Sequence, residues 1–229
     1  SALLNKGLAL NQIKKYTDAV TCFEKLLEIN PKDAQAFNNK GIAMAEMGNI
    51  QDAAECYDKA IEADPKYAPS FFNKGVLLDK LREHEDALAA LEKAITIDPR
   101  KQNVLVYKGI VLGKMKKHEE ALNCFQNICK KYPNNQDAFF QKGVQLAELG
   151  EHKKALDVFD DILRKFKDNV NVIYAKSRSK AALEMYPEAL ELLKQAVSQN
   201  PKIIRAWAKE EKIFEKLYDN DQFRKIVKL

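Results

Sequence analysis

His84, His118 and His152 are the only histidines of the chain, and they recur at one position spaced 34 residues apart. Imidazole is the commonest metal ligand, so a metal role is the first chemistry to weigh. The same position holds Tyr16, Ile50 and Tyr186 in other copies, which marks it as a packing position. Packed helical layers lie about 10 Å apart, and imidazoles at that distance cannot share one ion with bonds of about 2 Å. Cys22, Cys56 and Cys124 share a second register, and the same layer spacing puts neighbours beyond disulfide reach. Cys124 and Cys129 lie five apart on one helix and point to different faces, so all four are read as reduced core thiols. No Gly-rich phosphate loop, nucleophile elbow or zinc-binding helix motif occurs, and the carboxylates form only the generic pairs of exposed helix faces. The chain is therefore read as non-catalytic, with no cofactor and no metal.

What positions these residues is a period. Lys6-Gly7, Lys40-Gly41, Lys74-Gly75, Lys108-Gly109 and Lys142-Gly143 are separated by 34 residues, with Lys176-Ser177 as a sixth, imperfect copy. Ala19, Ala53, Ala87, Ala121, Ala155 and Ala189 keep the same interval. In one copy, Asp33 to Met47 carries apolar residues at helical spacing, Gly48-Asn49 makes a turn, and Asp52 to Ala63 is periodic again. Pro31, Pro65, Pro99, Pro133 and Pro201 close second helices, while Pro69 and Pro187 fall at helix starts. Nothing alternates as a strand would, so the chain reads as all-α. Glycine inside a helix costs about 1 kcal/mol relative to alanine. Close helix approach is the compensating gain, with Phe23, Tyr57, Leu91, Phe125, Phe159 and Leu193 filling the space between.

A 34-residue helix-turn-helix with Phe37, Gly41, Ala53, Tyr57, Ala60 and Pro65 in order resembles the tetratricopeptide repeat family. The Asn-Lys-Gly style is similar to prokaryotic, including archaeal, members. The resemblance implies a right-handed superhelical solenoid of antiparallel helix pairs. The domain reading is six tandem repeats over 1–203 (1–33, 34–67, 68–101, 102–135, 136–169 and 170–203) and C-terminal capping helices over 204–229, in one elongated body. The sixth repeat, with Ser177 for glycine, Lys180 at an apolar position and Lys167 for proline, is expected to be the loosest. The lysine before each glycine is read as an amphipathic stem that covers apolar surface while its amine reaches water.

In the family, first helices line a concave groove through the residues three before and one after the glycine. Those places hold Leu4 and Leu8, Asn38 and Ile42, Phe72 and Val76, Val106 and Ile110, Phe140 and Val144, and Tyr174 and Arg178. Asn5, Asn39 and Asn73 add amides able to bond an extended peptide backbone. Phe72 and Phe140 are the expected anchors. Some relatives clamp a chaperone C-terminal carboxylate, but of Asn38, Ile42, Asn73, Asn103 and Tyr107 only Asn73 fits that pattern. Arg178, Arg205 and Lys209 could still serve another acidic peptide.

Net charge is +5 and the isoelectric point about 8.8, mild for a nucleic-acid binder. From Gln102 to Asn135 the chain carries Lys108, Lys114, Lys116, Lys117, Lys130 and Lys131 against Glu119 and Glu120. The expected function is a cytoplasmic protein-interaction scaffold that takes a partner's peptide or amphipathic helix in the concave groove. A nucleic-acid-binding solenoid using the basic fourth repeat, or the recruiting arm of an enzyme whose catalytic domain lies outside this chain, are the alternatives. No stretch has the apolar length of a membrane span. The N-terminal end lacks a cap like the C-terminal one, which leaves self-association through terminal repeats open.

Overall fold

The computed structural model describes residues 1–229 and contains fourteen α-helices, one 3-10 turn and no strand. Helices alternate as first and second members of pairs: α1 (Ala2–Gln12) and α2 (Tyr16–Ile29), α3 (Ala34–Glu46) and α4 (Ile50–Ala63), α5 (Ala68–Lys80) and α6 (His84–Ile97), α7 (Gln102–Lys114) and α8 (His118–Lys131), α9 (Gln136–Glu148) and α10 (His152–Lys165), α11 (Val170–Ala182) and α12 (Tyr186–Gln199). After them come α13 (Pro201–Glu210), a 3-10 turn (Lys212–Leu217) and α14 (Asp221–Val227). No helix is long and apolar enough to cross a membrane. Contacts divide the chain into two compact units, residues 1–111 and 112–229, with the boundary inside α7.

In the first unit each first helix packs on its partner, α1 on α2, α3 on α4 and α5 on α6, and α2 also packs on α3 and α4 on α5. The second unit repeats this from α8 to α12, and then α13 and α14 close over α12 while the 3-10 turn covers α11. The glycines set the distance within a pair. A Cβ on Gly7 would lie 2.5 Å from Phe23, one on Gly41 2.7 Å from Tyr57, and one on Gly143 2.4 Å from Phe159. Those rings are buried in full or nearly so, and Ala19, Ala53 and Ala155 beside them have no exposed surface.

The register lysine does more than cover apolar surface. Lys40 pairs with Glu24 at 2.8 Å, Lys74 with Asp58 at 2.5 Å and Lys108 with Glu92 at 2.9 Å, and Lys176 pairs with Asp160 in the same way. Each pair joins a first helix to the second helix before it. Such partly exposed pairs contribute only about 0.2–1 kcal/mol apiece, so they serve register more than stability. The ladder lapses at Lys142, where Gln126 stands in the acidic place.

The sixth pair is not loose. Ser177 is fully buried and donates from Oγ to the Ala189 carbonyl at 2.8 Å, which satisfies the group that replaced glycine. Its surroundings, with Ile173, Leu190, Leu193, Ile204, Phe214 and Phe223, form an extensive apolar cluster. Pro201 follows the end of α12 by two residues, as the other closing prolines do theirs, and it also opens α13 directly. A proline suits the first helical position because the missing N–H has no acceptor there.

All six turns inside the pairs use a left-handed residue at one register: Lys14, Gly48, Arg82, Lys116, Gly150 and Glu184, with φ between 59° and 84°. Only two are glycine, and a side chain in this region costs about 1–2 kcal/mol. Arg82→Gly is expected to raise stability by up to about 1 kcal/mol in urea unfolding followed by circular dichroism. Gly143→Ala should lower it by about 1–3 kcal/mol, because the buried Phe159 ring has nowhere to move. A stabilised Gly143→Ala would show that helix propensity, not close approach, governs the register.

Candidate partner-binding surface

Residues three before and one after each glycine are four apart and fall on one helical stripe. In the first unit this stripe holds Leu4, Leu8, Ile42, Phe72, Val76 and Ile110, all half-buried, and α1, α3 and α5 touch in succession beneath it. Phe72 meets the Tyr107 ring edge-on at a centroid distance of 5.8 Å. Between α3 and α5 lies a cleft of about 150 Å³ lined by Ile42, Ala45, Glu46, Asn73, Val76 and Lys80, with Tyr57 and Leu77 at its walls. Two expected groove residues are withdrawn from this surface: Asn38 is 3 % and Val106 7 % exposed.

The amides are spent inside the protein. Asn73 Nδ2 donates to Asn38 Oδ1 at 2.8 Å, and Asn39 Nδ2 donates to the Gln35 carbonyl at 2.7 Å while its own carbonyl accepts from Asn11 Nδ2. Neighbouring first helices approach closely enough for one amide to reach the next, which the single-helix view of the sequence does not reveal. Asn5 alone of the expected set is exposed. A further polar group braces the third and fourth first helices. The buried Asp79 carboxylate accepts from Tyr107 Oη at 2.6 Å and lies 3.1 Å from His84 Nδ1. Burial, reinforced by that bond to Asp79, pushes the Tyr107 hydroxyl well above its usual range.

In the second unit Phe140 and Val144 are half-buried, and Phe140 leans on Phe159 at 6.2 Å. Tyr174 is buried between the Trp207 and Phe214 rings, at 5.5 and 6.2 Å, which corrects its reading as an open groove residue. Arg178 bonds Glu148 at 3.2 Å and Glu211 at 2.8 Å. Arg205 Nε donates to the Ile226 carbonyl and Lys209 Nζ to the Lys228 carbonyl, so both cap the C-terminal end of α14. Cations suit that end of a helix. The three basic residues expected to meet an acidic peptide are thus engaged at home. A hollow of about 650 Å³, lined by Pro133, Phe139, Ile162 and Phe166 among others, lies off this stripe at the start of α9 and the end of α10.

The histidines act separately: His118 Nδ1 is 2.9 Å from Gln145 Oε1, and His152 sits near Arg178 and Glu148, its pKa lowered by burial and then by Arg178. None of the four cysteines is in a disulfide, and burial raises the Cys56 and Cys129 thiols. In the basic stretch Lys108 is paired with Glu92, Lys117 lies 3.9 Å from Glu120, and Lys131 sits over the Tyr132 ring. Sequence reasoning missed Glu46 and Lys80, which share the groove stripe one turn beyond Ile42 and Val76, and it missed Trp207, Glu210 and Glu211, which line a second small cleft with Tyr174. The four-residue step along the helix was the available signal for the first pair.

Two family models, both described as tetratricopeptide repeat, match residues 38–101 and 108–170, and residues 1–66. No curated protein matches. Among solved structures the chain is similar to YrrB, a tetratricopeptide protein with an unusual peptide-binding site, at 26 % identity over 82 % of this chain and 98 % of that one, with a TM-score of 0.63. PilF of Pseudomonas aeruginosa shares 22 % identity over 92 % and 96 % of the two chains, with a TM-score of 0.76. A tetratricopeptide repeat protein from Parabacteroides merdae shares 16 % over 99 % and 96 %, with a TM-score of 0.75.

Tyr57, Tyr107 and Tyr174 all lie at this surface with hydroxyls raised far above normal, burial being the first cause in each. A raised pKa in the folded state adds stability that is complete below about pH 10, the unfolded value, and is lost as pH climbs past it. Stability should therefore fall steadily above about pH 10, and ultraviolet titration should show these three of the eight tyrosines ionising only on unfolding. Normal titration of all eight in the folded protein would refute the packing described.

Proposed function

The chain belongs to the tetratricopeptide repeat family, and we propose that it is a non-catalytic scaffold seating a peptide or amphipathic helix of a partner protein on its first-helix stripe. Proteins of this fold bind protein or peptide partners, and YrrB, at 26 % identity, is a peptide-binding example. The observation that carries the reading is the half-buried apolar row of Ile42, Phe72 and Val76 around the α3–α5 cleft. Contiguous apolar surface of this kind marks interaction sites. Glu46 and Lys80 flank the cleft with opposite charges, so a bound segment finds polar contacts at its rim. Asn38 and Asn73 contribute by holding α3 and α5 in place, not by touching the partner. Phe72, stiffened by Tyr107, is the anchor contact in this unit, and Phe140 with Val144 offers the corresponding contact in the other.

The test is affinity capture from nuclease-treated lysate with three proteins: the natural chain, the Ile42→Asp, Val76→Asp variant, and Ile29→Asp as a control at an exposed apolar residue away from the stripe. Binding should drop at least about tenfold in the double variant, the effect of losing an anchor of some 1.4 kcal/mol or more, and hold in the control. Equal recovery by all three, each folded by circular dichroism, would overturn the assignment of the stripe.

A further inference from the structure

Trp207 is 44 % exposed, although Ile173, one repeat earlier at the same register, is 1 % exposed. The difference follows from what comes next in the chain. A second helix follows α11, whereas a 3-10 turn follows α13, and the Trp207 ring rests on Tyr174. Together with Glu210 and Glu211 these two aromatic residues line a cleft of about 230 Å³. Pockets for small-molecule ligands run to about 300–1,000 Å³, so this one has room for a single side chain.

Its chemistry favours a cation. Of the cleft's two carboxylates, Glu210 makes no ion pair and Glu211 shares the guanidinium of Arg178 with Glu148. Lys209 is turned to the Lys228 carbonyl, and burial together with Arg178 disfavours charging of His152. The Tyr174 hydroxyl is buried and has no hydrogen-bond partner, although Tyr174 as a whole is only 7 % exposed and lines the cleft. Buried polar groups are nearly always paired, and an ammonium or guanidinium brings donors that a hydroxyl oxygen can accept. Indole is also the strongest of the aromatic faces for attracting a cation.

We infer that this cleft seats a lysine or arginine side chain of the bound partner segment, stacked on Trp207 and neutralised by Glu210 and Glu211. The inference rests on the scaffold reading for the source of that side chain. It assigns the second unit a specificity element that the apolar stripe lacks.

Trp207 is the only tryptophan of the chain, so its emission reports on the cleft directly. The full chain would be titrated with Ac-Gly-Lys-Gly-NH2, its arginine analogue and a norleucine analogue of the same length. Lysine and arginine peptides should give a saturable change in emission, with norleucine roughly tenfold weaker. Glu210→Gln should weaken the cationic peptides about tenfold and abolish the discrimination. Glu210 ends α13, where a negative charge opposes the helix dipole, so the same variant should keep or raise its Tm while losing binding. A merely structural role would lower Tm instead. Equal response to norleucine and lysine, no response to either, or an unaffected Glu210→Gln would each overturn the inference. Partner capture separates the two ideas. Loss only in the Ile42→Asp, Val76→Asp variant leaves the scaffold standing and removes the cation seat, while loss only in Glu210→Gln does the reverse for the α3–α5 anchor.

Discussion

In the described pairs the first helix lies against the second at a residue with little or no side chain, and the ring or leucine it meets is buried almost completely. The 2.4–3.0 Å that a Cβ on Gly7, Gly41, Gly75 or Gly143 would leave to Phe23, Tyr57, Leu91 or Phe159 means that the approach is already as close as atoms permit. Where serine replaces glycine, the extra oxygen is absorbed by a bond to the Ala189 carbonyl. Protein interiors do not tolerate loose volume, so this contact sets the tilt and spacing of each pair. The separation of successive first helices, and with it the reach of every side chain on the inner stripe, follows from that spacing.

That reach explains which polar groups are left for a partner. First helices lie near enough for Asn73 to bond Asn38, for Tyr107 to bond Asp79, and for Arg178 to be held between Glu148 and Glu211. Each of these bonds is made from one repeat to the next, and each removes a group that a single repeat would present to solvent. The lysine pairs do the same on the second-helix side. What survives in the first unit is largely apolar and half-buried, edged by Glu46 and Lys80. In the second unit the C-terminal closure changes the balance, because α13 and the 3-10 turn bring Trp207, Glu210 and Glu211 over Tyr174.

The all-α pairing was legible before any coordinates, since the 34-residue interval, the prolines and the small residues all point to stacked hairpins. The glycine contacts were legible too, down to the aromatic partner. The placement of Ile42, Phe72 and Val76 on one stripe follows from helical geometry. The roles of Asn38, Asn73, Arg205 and Lys209 do not, because whether a polar side chain faces a ligand or a neighbour depends on residues 19 to 35 positions away. The sixth pair shows the same limit: Ser177 reads as a defect by type and is satisfied by a carbonyl twelve residues on.

The sequence by itself determined the repeat, its helical content and the close approach inside each pair, because these depend on side-chain size and on a period of 34 carried within the chain. Tertiary structure decided which polar residues remain available. Hydrogen bonds and ion pairs between neighbouring helices form only at distances set by packing, and a pattern read one helix at a time contains no such distance. The half-exposed Trp207 beside Tyr174 is of this kind. Its residue type was visible from the start, but its exposure depends on a 3-10 turn standing where a second helix would otherwise cover it.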